Sequence, residues 1–143
     1  GSPPLIMAAT LIISRALREE MFAHADGLWP EEACGLLAGG DGRAVRFYPV
    51  ENSLHSPVAY EMEPVQQVRA MLAMEADGLE MIAIYHSHPD GPARPSATDV
   101  AAAYYPDAVQ LILSLANRGR PSLRAFTIID GVVAEVDWSI AEE

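Results

Sequence analysis

The sequence predicts one α/β (or α+β) domain, a mixed central β-sheet flanked by helices, and three observations carry that prediction. Half of the 143 residues are apolar, so a chain of this size can bury a core without disulfides or a partner. Segments with helical spacing of apolar residues alternate with short apolar runs that end at turn residues. The last two of these runs are joined by Asp130-Gly131, a hairpin signal, so the sheet contains antiparallel as well as crossover connections. Gly1-Ser2 reads as a tag remnant, and residues 3–143 as a single domain with no repeat and no linker.

The elements follow in order. A short strand is expected over Thr10 to Ile13, with Ser14 as the N-cap of a helix in "RALREEMFAHA" whose stripe is Ala16, Leu17, Met21 and Phe22. "GLWPEE" ends that helix. "ACGLLAGG" and "RAVRFYPV" are two strands around the turn "GGDGR". After the loop "ENSLHSP", "VAYEM" is expected as a short strand. Pro64 opens a helix in "PVQQVRAMLAMEADG", with Val65, Val68, Met71 and Leu72 at helical spacing and Gly78 as its stop. "LEMIAIYHSH" is apolar nearly throughout, as in a strand covered on both faces. Ser96 opens a short helix, "ATDVAAAYY". "AVQLILSL", "LRAFTII" and "VVAEVDW" complete the sheet.

Composition excludes several function classes. A net charge of −11 argues against nucleic acid, because phosphates are neutralised by Lys and Arg. The paired acids Glu19-Glu20 and Glu31-Glu32 and the C-terminal acids Glu135, Asp137, Glu142 and Glu143 read as mostly solvated surface. "PPLIMAATLII" is too short to span a bilayer and lacks the basic start of a signal peptide. With one cysteine, Cys34, no internal disulfide forms, and a cytoplasmic, reducing compartment is expected. Cys34 itself reads as a small buried strand residue rather than a nucleophile.

The chemistry concentrates in "IAIYHSHPDGPARPSATDV". Two of the chain's four histidines, His86 and His88, close the apolar strand one residue apart. Side chains two apart on a strand share a face and stand roughly 6.6 Å apart along it. The two imidazoles can therefore converge on one ion, and zinc suits them, with three protein ligands and a water in a catalytic site. Asp99, in the first turn of the following helix, supplies the third ligand; three prolines stiffen the loop between. Ser96 and Asp99 also form a capping-box pair, which needs no metal. The whole string H-x-H-x7-S-x2-D, in the order strand, loop, helix, is far more specific than any of its pieces. The other histidines, His24 and His55, read as ordinary surface or satisfied core residues, and Arg94 and Trp29 as surface or packing that could line a groove.

"HSHPDGPARPSATD" resembles the signature of the JAMM/MPN+ zinc metallopeptidases, with His86, His88, Pro89, Ser96 and Asp99 in register. A second element of that family, a glutamate before a Cys/Met-Gly pair, is similar to "EACGLLAGG". The resemblance implies the MPN architecture, which is cytidine-deaminase-like, and one catalytic Zn2+ held by His86, His88 and Asp99. It implies Glu32 as the general base (Glu31 being the weaker candidate) and Ser96 as the hydroxyl that steadies the oxyanion. The segment from Val50 to Gln67 is similar to the bacterial branch, and the connections near Asn52 to Pro57 and Asn117 to Pro121 are short for a linkage-specific deubiquitinase. The implied substrate is a ubiquitin-like sulfur-carrier protein, cut after its Gly-Gly tail to release cysteine or a short extension. A deubiquitinase-like isopeptidase, a RadC-like protein and a non-catalytic MPN scaffold are the alternatives. A zinc deaminase is excluded because its P-C-x-x-C pattern needs more than one cysteine. Carrier identity and oligomeric state are not legible.

Overall fold

Ser14 ends one element and starts the next. The computed structural model, which describes residues 10–141, has β1 (Leu11–Ser14) running directly into α1 (Arg15–Leu28). The Ser14 hydroxyl accepts the Leu17 N–H at 3.1 Å, satisfying one of the donors that a helix start leaves bare. The tag remnant and Glu142-Glu143 lie outside the described residues. In α1 the buried residues are Leu17, Met21 and Ala25, an i, i+4, i+8 line. Ala16, expected in that stripe, is exposed, and Phe22 is only partly covered.

The strands β2 (Cys34–Gly40) and β3 (Arg43–Val50) form a hairpin, and α2 (Pro64–Ala76) leads into the central strand β4 (Glu80–His88). A five-residue helix, α3 (Ala97–Ala101), precedes β5 (Val109–Ser114), β6 (Ser122–Ile129), β7 (Val132–Val136) and β8 (Trp138–Ala141). The eight-stranded sheet has the order β7-β6-β5-β4-β2-β3-β1-β8, with parallel pairs β4/β5, β1/β3 and β1/β8 and the rest antiparallel. This is the mixed sheet that the alternation of helices, strands and a hairpin implied.

Its two edge strands, β7 and β8, are separated by Asp137 alone. Two residues of chain span at most about 7 Å, so the sheet must curl until its edges meet. The Leu11 N–H donates to the Asp137 carbonyl at 3.0 Å and the Trp138 indole N–H to the Leu123 carbonyl at 3.0 Å, which ties the seam. The expected single strand "VVAEVDW" is therefore two strands serving opposite edges.

Three other expectations are corrected. "VAYEM" is not a strand but part of a loop whose strand-like pairing is a single isolated Asn52–Met62 bridge. The helix after Ser96 ends at Ala101 instead of running to Tyr105. In α2 the residues facing the sheet are Ala70 and Met74, whereas Val65, Val68 and Leu72 are more than half exposed. The inner face is decided in part by polar residues: Gln66 accepts the Glu51 N–H at 2.8 Å and so turns toward the loop.

Two apolar clusters cover the sheet. α1 packs with Leu37, Ala83, Tyr85, Leu111 and Leu113 on one face; α2 packs with Cys34, Leu36, Ala38 and Ile84 on the other. The alternation along β4 then assigns its last residues. His86 and His88 share the α2 face with Ile84, and Ser87 shares the α1 face with Tyr85.

Candidate active site

The end of β4 delivers two imidazoles to one point. His86 is fully buried and His88 nearly so, and their Nε2 atoms lie 3.1 Å apart. Asp99 Oδ2 stands 3.2 Å from His86 Nε2 and 3.0 Å from His88 Nε2. His86, His88 and Asp99 are the three residues whose ligand atoms all fall within 4.8 Å of one another among the described residues. Ligands at 2.0–2.1 Å from a tetrahedral ion stand roughly 3.4 Å apart, so the three separations match the edges of a zinc coordination sphere to within a few tenths of an ångström. Two imidazole nitrogens facing each other at this distance share at most one proton comfortably. The donor set therefore fits a divalent cation better than it fits a purely protein network.

The electrostatics agree with that set. Burial holds the His86 imidazole in its neutral form, the one that ligates metals. Burial alone would raise the Asp99 carboxyl, but the hydrogen bonds from His86 and His88 outweigh it and hold it well below the usual carboxylate range. The His88 Nδ1 stands 2.8 Å from the Pro92 carbonyl and donates to it, which leaves Nε2 free to point at Asp99. His86 lacks such a bond: its buried Nδ1 has no partner. Its ring lies instead against Tyr60, centroid to centroid 4.6 Å at 25°. Sequence reasoning missed Tyr60, which lies in the loop expected to be a strand.

The capping pair and the ligand position coexist. Ser96 Oγ accepts the Asp99 N–H at 3.0 Å, and Asp99 Oδ2 accepts the Ser96 N–H at 2.9 Å. The same oxygen thus caps α3 and faces both histidines.

Glu32 arrives from the other side of the sheet's register. β2 pairs with β4 as Cys34↔His86, and the ladder continues one step beyond β2, where the Ser87 N–H donates to the Ala33 carbonyl at 2.9 Å. The Ser87 hydroxyl in turn accepts the Ala33 N–H at 2.8 Å. One more step places Glu32 opposite His88, on the same face. Glu31 has the opposite parity; its carboxylate reaches out to His55 at 3.2 Å. Glu32 is 4% exposed, which corrects its reading as solvated surface, and its Oε1 has no partner. Burial, with Asp99 adding and His88 opposing, pushes its carboxyl up to about 7.

A loop rather than a strand holds Glu32 in place. The Glu32 N–H donates to the Ser56 carbonyl at 2.8 Å, and its carbonyl accepts from Asn52 Nδ2 at 3.1 Å. Asn52, 4% exposed, also donates to the Ala59 carbonyl and accepts the N–H groups of Leu54 and Glu61, so its amide is saturated. Its role was not legible in the sequence. A cleft of about 390 Å³ is lined by Glu32, His88, Arg94 and Ser96 together, with Val58 on the opposing loop.

The remaining sequence candidates stand apart. His24 Nδ1 lies 3.3 Å from the Tyr85 hydroxyl, half-buried, and burial lowers its pKa. His55 bridges Glu31 and Glu51 on the surface. Cys34 is buried, its thiol donates to the Val50 carbonyl at 3.3 Å, and burial pushes it up to about 12, as an inert strand residue requires. Trp29 is exposed beneath the Arg118 guanidinium at 4.3 Å and lines no part of the cleft.

Comparison with known proteins gives the following. A family model for prokaryotic homologs of the JAB domain matches residues 14–129. The CysO-cysteine peptidase of Mycobacterium tuberculosis is 38% identical over 135 residues, 93% of this chain and 92% of that protein. The probable TtuB-protein conjugate cleaving protease of Thermus thermophilus is 36% identical over 132 residues, 92% of this chain and 84% of that protein. A solved structure from Desulfitobacterium hafniense superposes with a TM-score of 0.86 at 40% identity, covering 94% of each chain. A JAB1/MPN domain protein from Archaeoglobus fulgidus superposes at 0.57 with 18% identity, over 92% of this chain and 99% of that one, a likeness of fold alone.

Proposed function

The chain belongs to the JAMM/MPN family, in its prokaryotic JAB-domain branch, and from that membership we propose that it is a zinc metallopeptidase. It hydrolyses the bond after the C-terminal Gly-Gly of a ubiquitin-like sulfur-carrier protein and releases cysteine or a short C-terminal extension. The observation that carries this reading is the convergence of His86, His88 and Asp99 at tetrahedral-edge distances beside a cleft that also contains Glu32 and Ser96. Relatives named as a CysO-cysteine peptidase, a TtuB-protein conjugate cleaving protease and a desampylase support the substrate class.

His86, His88 and Asp99 would hold the zinc, whose Lewis acidity brings the pKa of water to about 7. Glu32 takes the proton from the attacking water and returns it to the leaving nitrogen. A carboxyl raised to about 7 suits both transfers at neutral pH, since its two protonation states are nearly balanced. Ser96 accepts a backbone N–H, which fixes its rotamer and leaves the hydroxyl proton to donate to the developing oxyanion. Pro57 and Val58 of the loop between β3 and α2 line the cleft together with the 88–96 segment.

The test is direct. The zinc-loaded protein is incubated with a carrier–cysteine adduct and followed by mass spectrometry, with Glu32→Gln as control. Loss of one cysteine residue with the wild type and none with the variant is expected; an intact adduct with the wild type overturns the assignment. Metal analysis should give about one zinc per chain and none in His88→Ala.

A further inference from the structure

The cleft that Glu32 shares with Ser96 contains one arginine, and that arginine has no carboxylate of its own. The chain has nine arginines, no lysine and an excess of eleven negative charges. Four of its arginines are held in ion pairs: Arg18 with Glu19, Arg46 with Asp77, Arg118 with Asp26 and Arg124 with Glu135. Arg94 is different. Among the described residues its guanidinium has no hydrogen-bond or ion-pair partner, although Asp90 lines the same cleft.

Its backbone is nevertheless held. Arg94 sits between Pro92 and Pro95, its N–H donates to the Pro92 carbonyl at 2.9 Å, and Ala93 beside it is buried. A residue before proline is confined to extended conformations, so the position from which the side chain starts is restricted. A cation presented on a stiff loop without a partner is arranged for a ligand anion.

We infer that Arg94 receives the free α-carboxylate of the amino acid released, which makes this cleft selective for a single C-terminal residue. The inference rests on the peptidase reading above. An α-carboxylate lies one carbon from the scissile nitrogen, so its receptor must stand within a side chain's reach of the proton donor and the oxyanion donor. Arg94 is two residues from Ser96, and both line the cleft with Glu32. The planar guanidinium matches a carboxylate with two parallel hydrogen bonds. The other depression bordering Glu32 has no arginine, and its His55 is already engaged by Glu31 and Glu51. An isopeptide-linked lysine in the middle of a protein carries no charge at that place. Hydrolysis itself is unchanged: water's hydroxyl goes to the terminal glycine carbonyl, the C–N bond breaks, and Glu32 passes the proton to the cysteine nitrogen.

The experiment compares kcat/KM of the zinc-loaded protein on carrier–cysteine and on carrier–cysteinamide, which differ only in that charge. The wild type is expected to prefer the free carboxylate by tenfold or more. In Arg94→Gln the ratio should collapse toward one through loss on carrier–cysteine, with Arg94→Lys in between. Equal rates on both adducts with the wild type overturn the inference, and so does a ratio that survives in Arg94→Gln. An Arg94→Gln loss that is equal on both adducts assigns the side chain to the carrier and also overturns it. Cleavage of neither adduct by the wild type defeats the peptidase reading itself, a separate result. Arg94 is exposed, so its variants fold, and their unfolding midpoints should match the wild type.

Discussion

Replacing Glu32 with glutamine should change how stability depends on pH, and the structure sets the size and sign. Glu32 is 4% exposed, its Oε1 has no partner, and its carboxyl pKa moves from an ordinary 4.5 to about 7. The folded protein therefore keeps a proton that the unfolded chain gives up between those two values. Stability must fall as pH rises through that window and level off above it. At about 1.36 kcal/mol per pH unit the full displacement is worth ~3 kcal/mol. The carboxyl borders an open cleft, so solvent screening reduces this to ~1–2 kcal/mol. Glutamine has no such proton. Between pH 5 and pH 8 the metal-free wild type should thus lose ~1–2 kcal/mol more than Glu32→Gln, measured by urea unfolding with a chelator present. Using the difference between two pH values cancels the pH-independent cost of burying an amide. Parallel stability curves for the two proteins, or a steeper fall in the variant, would refute the buried-carboxyl argument. Bound zinc brings a positive charge near the carboxylate, so the effect should shrink in the metal-loaded protein.

Two further perturbations address the supports of the site. Because His86 Nδ1 has no hydrogen-bond partner and its ring stacks on Tyr60, Tyr60→Leu should weaken zinc affinity by roughly 10- to 100-fold, the usual effect of removing a group that orients a ligand. Tyr60→Phe keeps the stacked ring and should bind like the wild type in a chelator-competition titration; equal affinities for Leu and Phe would show that stacking does not orient the ring. Asn52→Ala removes the amide that ties Glu32 to the 52–61 loop and should cost ~2–4 kcal/mol in urea unfolding, from several buried groups left unpaired. A cost under about 1 kcal/mol would mean that water replaces the amide there.

The metal-site pattern was legible because each of its parts is local. Strand alternation puts His86 and His88 on one face whatever the rest of the chain does, and the Ser96–Asp99 spacing is a helix-start geometry complete within four residues. The choice of Glu32 over Glu31 lies between local and global. Parity along β2 separates the two, but only the Cys34↔His86 register brings that parity opposite His88.

Other features depend on contacts distant in sequence. Periodicity showed that α2 has apolar residues at helical spacing, yet apolar residues occur all around it; docking on the sheet, with Gln66 anchoring the Glu51 loop, turned Ala70 and Met74 inward and left Val65, Val68 and Leu72 outside. "VAYEM" has strand composition, but the four hydrogen bonds of Asn52 hold its neighbourhood as a loop, which brings Tyr60 onto His86. Asp137 divides a uniform run because a curled sheet needs one chain segment to serve both edges. Sequence by itself therefore determined most of the elements and the order of the His86, His88 and Asp99 cluster, since short-range spacing carries them. Tertiary structure alone decided what surrounds the triad: the environment that raises Glu32, the ring that backs His86 and the arginine left unpaired in the cleft. Those properties come from burial and from partners remote in the chain, and no spacing along the sequence encodes either.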